Sequence, residues 1–121
     1  GYYAEKTISV TLSGVDGAEQ IKAIMAKFRN NAPKEWNTTA ITVVEDFKAQ
    51  TSTAADGTVT NLTTPPSDVL KYTLADGSWI AVRPSGTEPK IKFYIAVVGE
   101  SNEDSQTKIA NIEAEINAFV S

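Results

Sequence analysis

The stretch Arg83 to Tyr94, RPSGTEPKIKFY, is the densest gathering in the chain of groups able to hold an anion. Arg83 offers a planar guanidinium fork that matches two oxygens of a phosphate or a carboxylate, and Ser85 and Thr87 add hydroxyl donors. Gly86 lets backbone N–H groups approach an anion closely, and Lys90 adds a point charge from the far rim. Glu88 stands apart, because its carboxylate would repel a phosphate; it is expected to point away and to pair with a cation or cap backbone donors. Pro84-Ser85-Gly86 also suits a plain type I turn between two strands, which needs no ligand. The cations and hydroxyls around that turn are what make it a candidate phosphate cradle.

Composition narrows the chemistry that such a loop could serve. The 121 residues, 41% of them hydrophobic, amount to a single domain with one core. A formal net charge of −4 argues against a protein that grips a nucleic-acid backbone by neutralising it, so an anion site must be local. With neither Cys nor His present, disulfides, thiolate nucleophiles, zinc ligand sets and imidazole acid/base chemistry all drop out. Metal could be held only by carboxylates and carbonyls. Asp46, Asp56 and Asp76 lie in separate segments without ligand spacing, and Asp56-Gly57 and Asp76-Gly77 read as turns, so no metal site is assigned to this chain. No apolar run approaches the roughly 18 to 20 residues of a membrane span, and a cytoplasmic protein is the simplest reading. The chain opens on Gly1 instead of Met, which is expected of a piece of something longer.

The elements that must carry the loop follow from periodicity. Lys6 to Leu12 alternates with Ile8, Val10 and Leu12 on one face and reads as a half-buried strand, broken at Ser13-Gly14. Asp16 can cap a helix whose Ile21, Ile24, Met25 and Phe28 share one face and which ends at Asn30-Asn31 before Pro33. Ile41 to Phe47 is rich in β-branched residues and reads as a strand; the polar stretch Gln50 to Asp68 reads as loop or weak hairpin around Asp56-Gly57. VLKYTL and WIAV flank Ala75-Asp76-Gly77-Ser78 and form a hairpin. The second arm feeds into the Arg83 loop, and Ile91, Phe93, Ile95 and Val97 alternate along the strand beyond it. Ser101 or Asn102 caps a last helix with Ile109, Ile112, Ile116, Phe119 and Val120 on one stripe.

The order is β-α-β-β-β-β-α, an α+β two-layer sandwich with a mainly antiparallel sheet and two helices on one face. Tyr2, Tyr3, Trp36 and Trp79 could be imagined as a sugar-stacking set, but Trp36 follows a helix end and Trp79 a hairpin turn, places where an aromatic ring seals a core.

RPSGTEPKIKFY closely resembles the phosphate-binding signature in the last domain of the α-D-phosphohexomutases, and PPSDVLKYTLADGSW before it is similar to the phosphoglucomutase branch. The likeness extends over essentially the whole chain. It implies that residues 1–121 are a single domain, the C-terminal fourth domain of a longer enzyme, with a TATA-binding-protein-like fold. It also implies that Arg83, Ser85, Gly86 and Thr87, with Lys90 as a weaker member, hold the sugar-phosphate group that is not being transferred. The parent would interconvert glucose 1-phosphate and glucose 6-phosphate through a bisphosphate, with Mg2+ and glucose 1,6-bisphosphate as cofactors held by upstream domains of the same chain. The phosphoserine, magnesium and sugar-recognition loops of the family have no counterpart in this sequence, so the isolated chain is expected to be inactive. A phosphomannomutase or phosphopentomutase parent is the alternative, and a non-catalytic sugar-phosphate or anion-binding regulatory module is the alternative of another class. Tyr2 and Tyr3 would then belong to the hinge with the preceding domain. Neither a nucleic acid nor a membrane is an implied partner.

Overall fold

The computed structural model describes residues 1–12 and 14–121. Its elements run β1 (Tyr2–Thr11), α1 (Gly17–Asn31), β2 (Glu35–Trp36), β3 (Thr39–Asp46), β4 (Thr51–Ala54), β5 (Val59–Asn61), β6 (Leu70–Leu74), β7 (Trp79–Pro84), β8 (Lys90–Gly99) and α2 (Asn102–Val120). The strands make one antiparallel sheet in the order β1-β8-β7-β6-β3-β4-β5, with β2 paired to β3 off that path. The expected order is kept, with three short strands added. Of the break expected at Ser13-Gly14, Ser13 lies outside the described residues, and Gly14 has a φ of 104°.

Strand parity separates the two faces of the sheet. Ile91, Phe93, Ile95 and Val97 of β8 face the helices together with their ladder neighbours Ile80 and Val82 on β7 and Ile8 and Val10 on β1. Leu70, Tyr72 and Leu74 continue that layer on β6. Against it pack Ile21, Met25 and Phe28 of α1 and Ile109, Ile112 and Ile116 of α2, all buried, so the spacing seen in sequence is the spacing that meets the sheet. Among the described residues no helix covers the opposite face, which carries Lys71, Trp79, Arg83, Lys92 and Tyr94.

Phe28 is the centre of the core. Its ring lies 4.6 Å from Phe119, 5.6 Å from Phe93, and 6.3 Å from both Trp36 and Tyr72, centroid to centroid. The Tyr72 hydroxyl donates to the Phe28 carbonyl at 2.8 Å, satisfying an acceptor in the last turns of α1, and burial pushes the Tyr72 phenol above its ordinary pKa so that it stays a donor. Trp36 is only 1% exposed and belongs to this cluster, as its place after a helix end suggested. Trp79 is half-buried on the open face with the Lys71 ammonium 4.7 Å above its ring.

The hairpin of β2 and β3 gives no clear signal in the sequence. Its two turn residues, Asn37 and Thr38, both take positive φ (51° and 55°), the geometry of a tight two-residue connection that usually calls on glycine. Helix α2 supplies what the turn residues lack: both Glu115 carboxylate oxygens accept from the Asn37 amide at 3.0 and 2.9 Å, and Asn111 donates to the Asn37 side chain at 3.0 Å. In the 50–68 stretch, Gly57 at φ 91° and the Asp56 carboxylate accepting from the Thr58 amide at 2.9 Å close the β4–β5 hairpin. At the start of α2, Ser101 is the cap, its hydroxyl accepting from the Asp104 amide at 3.0 Å; Asp16 precedes α1 without a side-chain cap bond.

An ion cluster fastens α1 to the end of β3 and to the segment that leads into β6. Arg29 donates to Asp46 at 2.9 Å and to Asp68 at 2.9 Å, while Asp46 also accepts from the Lys48 and Ala49 amides. Burial pulls the Asp46 carboxyl upward, but the bonds from Arg29 and the two amides outweigh it and leave the group below the usual carboxylate range. Among the described residues no helix is long and apolar enough to cross a membrane.

Two outcomes follow from this packing. Phe28→Ala is expected to lose about 3 to 5 kcal/mol of stability, read as a lower urea midpoint with a similar slope; a loss below about 1 kcal/mol would mean that the ring cluster closes over the hole. Because the folded Asp46 pKa is depressed, its contribution is complete above the unfolded value of about 3.9 and disappears as pH falls through the folded one. Asp46→Asn should therefore be less stable than the parent at pH 7 by about 1 to 3 kcal/mol, with the gap closing on going from pH 4 to pH 2. A gap that stays constant over that range would show that the Arg29 cluster does not titrate through Asp46.

Candidate functional site

The loop between β7 and β8 is built on a strict ladder. Val82 pairs with Phe93 and Arg83 with Lys92, so with Val82 and Phe93 in the core, Arg83 and Lys92 must project together from the open face. Both are exposed, and neither makes an ion pair among the described residues. Two like charges set directly opposite each other repel and weaken the sheet, which is a reason for the pair to gain from an anion between them.

Pro84 is the last residue of β7, so it does not take the second position of the type I turn expected from Pro84-Ser85-Gly86; the chain bends through residues 86–89 instead. Ser85 organises that bend. Its amide donates to the Lys90 carbonyl at 2.8 Å, and its hydroxyl accepts from the Thr87 and Glu88 amides at 3.4 and 3.3 Å. Gly86, Thr87 and Glu88 are exposed, and a Cβ built on Gly86 meets nothing within 4 Å. Nothing among the described residues crowds that position, and the space around it is open to a ligand.

The predicted site residues fall on two sides of the loop. Arg83 and Ser85 share a recess of about 260 Å³ on the open face with Pro84, Lys92 and Tyr94. Ser85, Gly86 and Thr87 also line a larger groove of about 620 Å³ on the helical side, whose other wall is α1 with Lys22 and Arg29. Lys90 lines neither space; its ammonium lies 4.0 Å from the Glu88 carboxylate. Glu88 thus meets a cation, as its charge demanded. Lys92 is the residue that sequence reasoning passed over. Counting back across the loop along the two strands would have found it, since the position facing Arg83 is set by register and not by distance along the chain.

The recess wall carries no carboxylate, although acidic residues outnumber basic ones in the chain, 15 to 11. The arrangement can bind an anion by a guanidinium fork, an ammonium and hydroxyls. Proton transfer and metal binding are another matter. Among the described residues there is no group of three or more metal-ligating side chains, and the aspartates are engaged elsewhere: Asp46 with Arg29, Asp56 with Thr58, and Asp76 with Ser78 and with Lys108 at 2.9 Å. These residues do not fit a magnesium site.

Comparison with known proteins identifies a family for the chain. The sequence profile of the phosphoglucomutase/phosphomannomutase C-terminal domain matches residues 10–118. A Staphylococcus aureus phosphoglucomutase is 37% identical over 110 residues, covering 90% of this chain and 20% of that protein. A Staphylococcus haemolyticus phosphoglucomutase is 34% identical over 112 residues, covering 92% and 20%. The chain thus spans about a fifth of the length of the curated relatives it matches. A Cytophaga hutchinsonii protein known from its solution structure is a looser likeness, with 17% identity, a TM-score of 0.39, and coverage of 95% of this chain and 87% of that one.

Proposed function

The chain belongs to the phosphoglucomutase/phosphomannomutase family, matching its C-terminal domain, and from that membership we propose that it anchors the phosphate of a sugar phosphate while chemistry takes place elsewhere in a longer enzyme. The reaction is the interconversion of glucose 1-phosphate and glucose 6-phosphate through a bisphosphate. The observation that carries this reading is the Arg83–Lys92 couple, without an ion pair among the described residues and fixed side by side at the mouth of a loop that carries the Ser85 and Thr87 hydroxyls.

Each residue has a part in the anchoring. Arg83 takes two phosphate oxygens with its fork, and Lys92 neutralises the remaining charge from the neighbouring strand. Ser85 and Thr87 offer hydroxyls, and the Ser85 hydroxyl that accepts from the Thr87 and Glu88 amides holds the exposed bend around Gly86 in place. Lys90 shares its charge with Glu88 and tunes the rim. Holding the distal phosphate places the reacting hydroxyl and excludes water around it, and alignment of this kind is worth several kcal/mol of barrier. An anchor that reads only phosphate accepts the sugar in either orientation. Magnesium and glucose 1,6-bisphosphate belong, on this reading, to parts of the enzyme outside this chain.

Two experiments test the proposal. Titrating the isolated chain with glucose 6-phosphate should move the Gly86 and Thr87 amides first, with a dissociation constant in the millimolar range, about −4 kcal/mol, and without any mutase turnover. Shifts centred on the outer face of α2 would place the anion elsewhere, and turnover by the pure chain would contradict the anchoring role. In a full-length enzyme carrying this domain, Arg83→Lys keeps the charge but loses the fork, and kcat/KM is expected to fall roughly ten- to a thousandfold, or about 1.4 to 4 kcal/mol. Stability should change by no more than about 1 kcal/mol, because the side chain stands outside the core. Near-normal turnover with lysine would reduce Arg83 to diffuse charge.

A further inference from the structure

Gly17, the first residue of α1, is buried. A Cβ built on it would lie 2.8 Å from Pro89 Cβ and 2.9 Å from the Leu12 carbonyl oxygen, where ordinary contact begins at 3.4 Å. Its φ is not in the left-handed region, so the backbone alone would accept any residue there. Close approach is what requires glycine. Three segments converge at this point: the end of β1, the start of α1 and the second leg of the β7–β8 loop. The Leu12 amide donates to the Pro89 carbonyl at 2.8 Å, tying the first of these to the third.

Pro89 is not an isolated contact. Lys90 follows it directly, and the Lys90 carbonyl accepts from the Ser85 amide, while the Lys90 amide donates to the Glu88 carbonyl at 2.7 Å. Ser85 in turn holds the Thr87 and Glu88 amides. A shift of the Pro89 ring is therefore passed to Ser85, Gly86 and Thr87 through short, direct links. Arg83 and Lys92, fixed in the ladder, would not follow. Further along the helix, the groove that runs past Ile21 and Met25 separates α1 from the loop, so the loop is seated against the beginning of α1.

We propose that Gly17 is a positioning residue for the anion loop: its missing side chain sets how deeply Pro89 seats against α1, and so the distance from the Ser85–Thr87 donors to the Arg83–Lys92 cations. The inference rests on the reading of this loop as a phosphate anchor. A methyl group at Gly17 would force a displacement of about 0.6 Å (3.4 Å against 2.8 Å), comparable to the tolerance of about 0.5 Å within which a binding constellation stays productive.

The test is a titration of the isolated chain with inorganic phosphate, following amide chemical shifts. In the wild type, Gly86 and Thr87 should move. In Gly17→Ala the free-state positions of residues 85–90 should already be displaced, with amides of the sheet core unchanged, and the dissociation constant should rise roughly three- to tenfold. Gly57→Ala serves as the control: it strains a backbone at φ 91° on the distant β4–β5 hairpin and should leave phosphate affinity as it was. Wild-type affinity in Gly17→Ala, or equal weakening in Gly57→Ala, overturns the positioning role. Should Gly17→Ala fail to fold, Pro89→Gly opens the same contact from its exposed side, and wild-type affinity there overturns the role equally. A wild type whose Gly86 and Thr87 amides ignore phosphate brings down the anchor reading first and this inference with it.

Discussion

Val82 and Arg83 are neighbours in one strand, yet one is wholly buried and the other exposed, and their partners Phe93 and Lys92 divide in the same way. This pleat of the β7–β8 pair governs the rest of the molecule. A slip of one residue would drive two cations into the aromatic core and push Val82 and Phe93 into water, so the burial that stabilises the core also fixes the register of the loop. The same alternation continues into β1 through Ile8 and Val10 and into β6 through Leu70 and Tyr72, which gives both helices one apolar floor to cover.

Charge is distributed in keeping with that division. The chain is acidic, but many of its carboxylates work along the seams between helix and sheet: Asp46 and Asp68 hold Arg29, Asp76 holds Lys108, Glu113 meets Lys6 at 2.6 Å, and Glu115 caps the Asn37 amide. Lys108 binds the β6–β7 turn and the Val98 carbonyl together, and Asp76 lies below the usual carboxylate range because the bonds from Lys108 and the Ser78 amide outweigh the opposing effect of burial. These pairs locate α1 and α2 over the sheet. With them engaged, Arg83 and Lys92 are left as a local positive pair on a protein of net negative charge, and a local pair suits one small anion better than an extended polyanion.

The loop itself is restrained more than its exposure suggests. One leg is the end of β7, the other is closed by the Ser85–Lys90 bond and seated against Gly17, and the bend between them is organised by the Ser85 hydroxyl. Exposed donors held this way lose less conformational entropy on binding than donors on a free loop, which favours a modest affinity directed at a well-defined position.

By itself the sequence determined the elements whose signals are local. The alternation of Ile91, Phe93, Ile95 and Val97, the helical spacing of Ile21, Met25 and Phe28, the Asp76-Gly77 turn and the anion-loop composition each lie within a dozen residues, where periodicity and turn chemistry act. Tertiary structure decided what depends on partners distant in the chain. The β2–β3 hairpin forms at Asn37-Thr38 because Glu115 and Asn111 arrive from α2 to hold it, and no propensity in that dipeptide announces them. Lys92 joins Arg83 because a ladder crosses the loop, and Lys90, nearer in sequence, pairs with Glu88 instead. Gly17 reads as an ordinary helix start until Pro89 is packed against it. In each case the deciding quantity is a distance between segments, which exists only once the core has closed and brought them together.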